Sequence, residues 1–191
     1  MRATLQSYSG EFSSSKTLRR VYERFPGTVA GAERVIQARL GLAPLPDNVV
    51  ISINLSDSPE YGCMPMCTPT GSAWTRADSP LHCDIELSSC AVANDYYGYT
   101  STDKVLTHEL VHVYFKVLGG QHYEQQPLWL KEGIALWTAD QTYWRDFRKV
   151  ALADRNDRWV RYKTYLDQFL EAKHRLGIEA LVGQLIGRNN Y

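Results

Sequence analysis

Two histidines with a glutamate between them, His108-Glu109-Leu110-Val111-His112, are followed twenty positions later by Glu132 in Pro127-Leu128-Trp129-Leu130-Lys131-Glu132-Gly133-Ile134-Ala135. On a helix of about 3.6 residues per turn, His108 and His112 lie one turn apart on the same face. Two imidazoles so placed can hold one Zn²⁺, with Glu109 beside them to take a proton from metal-activated water. A catalytic zinc site needs three protein ligands and an open position, and Glu132 is the natural third ligand. The chemistry suited to this set is hydrolysis, with a peptide bond as the foremost substrate.

Three fixed positions in five residues also arise by chance, and the competing reading is a surface helix with two solvated histidines. The surroundings weigh against it. Ser101, Thr102 and Asp103 supply capping side chains and a negative charge at a helix start, and Gly119-Gly120 ends the segment. Between them, Val105, Leu106, Leu110, Val111, Val113, Tyr114, Phe115, Val117 and Leu118 leave little polar surface besides the motif. Buried histidines and a buried glutamate are costly unless something satisfies them, and a metal does so. Around Glu132, Leu128, Trp129, Ala135 and Leu136 are apolar, so a carboxylate on that face calls for a partner or a metal. Lys131 is the charged neighbour expected in solvent.

H-E-L-V-H followed by W-L-K-E-G-I-A resembles the gluzincins, zinc peptidases with two histidines and a downstream glutamate. The spacing from His112 to Glu132 resembles thermolysin, and W-L-x-E-G-x-A resembles the aminopeptidase N type and small bacterial peptidases of the same superfamily. The resemblance covers roughly residues 101 to 186. It implies His108, His112 and Glu132 as zinc ligands and Glu109 as catalytic base and acid. Aminopeptidase N-type enzymes also carry a tyrosine that bonds the oxyanion, at the head of a helix ending in Leu-Gly. Here Tyr162 has that offset from Leu176-Gly177. A tetrahedral intermediate does call for a second donor beside the metal. An ordinary amphipathic helix position is the other reading of Tyr162, and Tyr165, Tyr143 and His174 are further candidates for the donor.

The G-x-M-E-N strand with which aminopeptidases hold a free substrate N-terminus has no counterpart. Leu81-His82-Cys83-Asp84-Ile85-Glu86-Leu87-Ser88-Ser89 precedes the zinc helix instead, where Asp84 or Glu86 could bind an amine. The expected activity is therefore an endopeptidase acting on a peptide or protein substrate. An aminopeptidase is the alternative within the enzymes, and a non-catalytic zinc-binding recognition module is the alternative outside them. The intact Glu109 speaks against the last.

Lysine plus arginine and aspartate plus glutamate both number 21, a formal net charge of zero, which argues against an electrostatic footprint for nucleic acid or anionic membrane. No apolar run is long enough to span a bilayer. The first residues, Met1 to Glu11, lack the apolar region of a secretory signal, so the chain is either cytoplasmic or a mature segment without its signal peptide. The cysteines favour the second, a secreted or periplasmic protein. Cys63, Cys67, Cys83 and Cys90 are even in number and clustered in a stretch rich in Pro, Gly, Ser and Thr. Disulfides, with Cys63–Cys67 and Cys83–Cys90 the favoured pairs, stand against a zinc knot of all four thiolates, whose spacing is loose for that.

At 191 residues the chain is long enough to bury a core without staples, and one domain is expected over residues 1–191. The expected fold class is α+β. A small N-terminal lobe of helices and sheet, residues 1–100, precedes a mostly helical lobe, residues 101–191, that carries the zinc site. Lys16 to Phe25 and Thr28 to Leu40 read as two helices broken at Pro26-Gly27. Val49 to Leu55 and Cys83 to Ser89 read as strands, with residues 56–80 turn-rich. The family resemblance implies that the second strand is an edge strand over the cleft, where an extended substrate adds as a further strand. Tyr96-Tyr97-Gly98-Tyr99 leads from that strand into the zinc helix.

Overall fold

The structure, a computed structural model, describes residues 2–7, 16–56, 72–74, 81–88, 102–146 and 157–188. Helix predominates, alongside one four-stranded sheet. In chain order the elements are β1 (Arg2–Ser7), α1 (Lys16–Leu40), β2 (Val49–Ser56), β3 (Ser72–Trp74), β4 (Leu81–Ser88), α2 (Thr102–Gly119), α3 (Gln121–Glu124), α4 (Leu128–Thr138), a 3-10 turn (Thr142–Arg145), α5 (Asp157–Leu176) and α6 (Ile178–Ile186). Among these residues no helix is long and apolar enough to cross a membrane.

The strands run in the order β1-β2-β4-β3. β1, β2 and β4 are parallel, with Leu5 opposite Ile53 and Ile53 opposite Ile85, while β3 is antiparallel to β4. Parallel neighbours need a crossover, and α1 supplies it between β1 and β2. The expected edge strand requires correction. β4 is an inner strand over its first half, because Trp74, Ala73 and Ser72 of β3 lie opposite His82, Cys83 and Asp84. β3 came from the stretch read as turns, where three residues are too few to show an alternation.

α1 is also corrected. It is one helix from Lys16 to Leu40 with Pro26 inside it. An interior proline costs about 3 kcal/mol through its missing N–H and the clash of its ring. Phe25, Val29, Ala32, Ile36 and Leu40 recur on one face and are buried on both sides of Pro26. Burying each large apolar side chain contributes about 1.5–3 kcal/mol, so the continuous face outweighs the local break.

That face packs on α2, and one cluster of buried residues joins α1 and α2 to Val49, Ile51 and Ile85 of the sheet and to Leu130, Ile134, Phe169, Leu181 and Leu185 of the later helices. α2 is buried on nearly every side, from Val105 to Val111 and again from Val113 to Phe115. Its end is made by Gly120 at φ 52, whose N–H reaches the Lys116 carbonyl at 3.0 Å.

The crossing of α4 and α5 rests on Gly133. A Cβ there would meet Phe169 Cβ at 2.4 Å and the Tyr165 carbonyl oxygen at 2.8 Å. Gly133→Ala therefore has to push α5 away. We expect a loss of about 1–3 kcal/mol, read as a drop of several degrees in Tm, and a weaker metal site because Glu132 is the adjacent residue. An unchanged Tm would show that the two helices are not in firm contact there.

Candidate metal centre

α2 carries His108 and His112 on one face with Glu109 beside them, and α4 brings Glu132 across from it. His108 Nε2 and His112 Nε2 are 3.1 Å apart. Glu132 Oε2 is 3.4 Å from His108 Nε2, and Glu132 Oε1 is 3.7 Å from His112 Nε2. Three ligand atoms about 2.0–2.2 Å from a tetrahedral zinc stand about 3.3–3.6 Å apart. The group thus has the size and donor chemistry of a zinc site, and His108, His112 and Glu132 could hold a metal ion. Two imidazole nitrogens and a carboxylate facing one point repel one another unless a cation or a proton lies between them.

The side chains behind the two rings strengthen that conclusion. His108 Nδ1 lies 2.9 Å from Gln141 Oε1, and His112 Nδ1 lies 2.7 Å from the Tyr123 hydroxyl. With each Nδ1 so engaged, Nε2 is the nitrogen left for a ligand. His108 and Glu109 keep 6% of their side-chain surface exposed, whereas His112 keeps 16% and Glu132 22%. Solvent therefore reaches the group from the His112 and Glu132 side, where a bound ion would have room for a further ligand.

Glu109 stands outside the triangle, with Oε1 3.9 Å from His108 Nε2, too far for a hydrogen bond. Burial pushes its carboxyl up to about 7, only partly opposed by the positive charge available on His108. Burial opposes charge on Glu132 as well, but the His108 hydrogen bond, then the His112, His108 and Lys131 charges, hold it down at about 2. Burial drives His112 down to about 3. It acts in the same direction on His108, yet the Glu132 hydrogen bond and the Glu109 and Glu132 charges outweigh it and raise His108. Both carboxylates thus favour positive charge at this point, which a metal ion would supply. His112 neutral and Glu132 ionised are the states that ligation requires.

The remaining candidates are not part of the His108, His112 and Glu132 group. Tyr162 is half-buried on α5, edge-to-face with Tyr165 at 6.4 Å, and packs on the small cluster of Leu136 and Leu166. Leu136 is one turn beyond Glu132 on α4, so Tyr162 lies against the flank of the helix that carries this residue. His174 is exposed near the end of α5, and His122 is exposed on α3. Tyr143 falls in the 3-10 turn, and Asp84 and Glu86 lie on β4, opposite Ser52 and Asn54 of β2. Cys83 is on β4, opposite Ile51 and Ala73; Cys63, Cys67, Cys90 and Tyr96 to Tyr99 fall outside the described residues, as do both disulfide pairings.

Lys131 is not a freely solvated side chain. Its side chain is 14% exposed, its ammonium lies 5.3 Å from the centre of the Tyr123 ring, and it donates to the Glu124 carbonyl at 3.2 Å. Gln141 and Tyr123 were missed by sequence reasoning. Neither falls on a periodic apolar face with the motif, and the one available signal was that both follow closely on elements that carry it. Comparison with known protein families, with curated proteins and with solved structures finds no match for this chain.

Proposed function

We propose that the protein is a zinc-dependent peptide hydrolase of gluzincin type, with His108, His112 and Glu132 as the zinc ligands and Glu109 as general base. The observation that carries the reading is the convergence of His108 Nε2, His112 Nε2 and the Glu132 carboxylate within 4.8 Å, with Glu109 buried beside them and outside the ligand set. Zinc, when bound, supplies Lewis acidity that polarises a substrate carbonyl and makes water easier to deprotonate.

The chain's own residues supply the rest. Glu109 takes the proton from the attacking water and returns it to the departing amine, for which a carboxyl near neutrality is suited. Its buried position keeps that proton from bulk water. Tyr162 is the proposed hydroxyl donor to the oxygen that gains negative charge, a role worth about 2.7–4 kcal/mol where such donors have been removed. An endopeptidase is the favoured form because the sequence carries no motif for holding a free N-terminus, and an aminopeptidase is the second form.

Peptides with free and with blocked N-termini test this, with products identified by mass spectrometry before and after chelation. The expected result is cleavage of the blocked peptides, lost on chelation and restored by zinc. Cleavage confined to free N-termini would make the protein an aminopeptidase. Stoichiometric zinc binding with no hydrolysis of any peptide would reduce it to a zinc-binding recognition module.

A further inference from the structure

We propose that Gln141 and Tyr123 are the positioning residues of this site, two uncharged acceptors that hold one imidazole each as its Nδ1–H tautomer and aim its Nε2 at the ion. The proposal rests on the metal reading above. It assigns roles to two residues outside the H-E-x-x-H motif and the Glu132 segment.

Gln141 Oε1 can only accept a hydrogen bond, so at 2.9 Å it requires the hydrogen on His108 Nδ1 and leaves Nε2 bare in the neutral ring. With His112 Nε2 likewise turned to the ion, the neutral ring carries its hydrogen on Nδ1. The Tyr123 oxygen, 2.7 Å away, then accepts it. Neither partner can easily swing aside. Gln141 is 6% exposed and Tyr123 2% exposed, and the Tyr123 ring stacks on Phe115 of α2 at 5.9 Å and 13°.

The backbone that delivers Gln141 is built for the purpose. α4 ends in a turn where Asp140 N–H bonds the Trp137 carbonyl at 3.1 Å and Gln141 N–H bonds the Leu136 carbonyl at 2.8 Å. That turn needs a left-handed residue, and Asp140 takes it at φ 55 without being glycine. Lys104 donates to both the Asp140 carbonyl and its carboxylate at 2.9 Å. Lys104 is one turn before His108 on α2, so the clamp that steadies Asp140 also sets the distance from Gln141 to His108. Arg39 adds a bond to the Trp137 carbonyl at 2.7 Å.

The lack of charge has a consequence. A carboxylate behind a ligating histidine raises its basicity as well as orienting it. An amide and a phenol orient only. Two neutral rings and one carboxylate then leave a divalent ion with net positive charge, and such an ion polarises a carbonyl more strongly.

Zinc affinity, measured by competition with a chromophoric chelator, tests this on the wild type, Glu132→Ala, Gln141→Leu, Gln141→Glu and Tyr123→Phe. The melting temperature of each is read without metal. The wild type should bind one zinc and Glu132→Ala should not, which tests the metal reading by itself. Gln141→Leu and Tyr123→Phe should each weaken zinc by about 10–100-fold, while metal-free melting moves only by the few degrees that one hydrogen bond accounts for. Gln141→Glu restores the acceptor and adds charge, so it should bind zinc at least as tightly as the wild type. Wild-type affinity in Gln141→Leu or Tyr123→Phe overturns the assignment. So does a Gln141→Glu protein as weak as Gln141→Leu, or a collapse of metal-free melting in step with affinity, which would mark a purely structural role. If the wild type binds no zinc, the metal reading fails and this proposal fails with it.

Discussion

Glu109→Gln should keep stoichiometric zinc and lose about 10²–10⁴-fold in peptide hydrolysis, the span that a positioned general base contributes. The amide has the shape of the carboxylate and its polarity, but it cannot take the proton of the attacking water. Glu109 lies 3.9 Å from His108 Nε2 and outside the ligand triangle, so removing its charge should leave the ligands in place. Stability in the metal-free protein gives a second readout with the sign fixed by burial. The folded carboxyl sits at about 7 against 4.5 for the free group, so the folded state binds more protons between these values. Its contribution to stability therefore declines as pH rises from about 4.5 to 7. Glu109→Gln lacks that decline, so without metal it should melt at or above the wild-type temperature at neutral pH. Zinc content, turnover of a blocked peptide and melting temperature measure the three effects. A variant that still turns over peptide at the wild-type rate would leave Glu109 without the role of base.

The part of this site legible in sequence is the part that lies on one helix face. His108 and His112 are four apart, and the residues around them are so apolar that the polar trio stands out; in the fold both His108 and Glu109 are 5% exposed. Glu132 was legible for the same reason, although Leu128, one of the apolar neighbours that marked it, is 57% exposed. Apolar flanks pointed to Ala135 and Leu136 as its buried company, and these two are indeed buried. The mostly helical character expected after residue 101 also holds in α5 and α6, where Leu166, Phe169, Leu181, Val182 and Leu185 are buried.

What sequence could not show depends on contacts between distant segments. The break expected at Pro26-Gly27 follows a sound local rule, and it is overridden because Phe25 and Val29 are buried in the same core cluster, which α2 shares. β1 holds only Ala3 and Leu5 as apolar residues, and it becomes a strand through pairing with Val50 to Leu55, beyond the whole of α1. The partners behind the histidines are of this kind too. Gln141 is placed by the left-handed Asp140 and by Lys104, which is 36 positions before that aspartate in sequence. Tyr123 reaches His112 from a four-residue helix, too short to show a period.

Glu132→Ala is expected to abolish high-affinity zinc binding, with a loss greater than the roughly 10–100-fold that removing an outer partner costs. The reason is geometric as well as electrostatic. Glu132 is the carboxylate that α4 contributes to the group, and without it the remaining pair on α2 offers two imidazole nitrogens 3.1 Å apart and no negative charge. His122 and His174 cannot take its place, since both are exposed on other helices. Removing the carboxylate also takes away the hydrogen bond that raises His108, so the ring's pKa should fall and its proton should be lost at lower pH. That shift separates loss of a ligand from collapse of the site, because it can be followed by NMR of the ring in the metal-free protein. Glu132→Gln, which keeps one oxygen donor and no charge, should fall between the alanine variant and the wild type. Retention of wild-type zinc affinity by Glu132→Ala would mean that another residue completes the site, and the two histidines would then need a different third ligand and a different assignment.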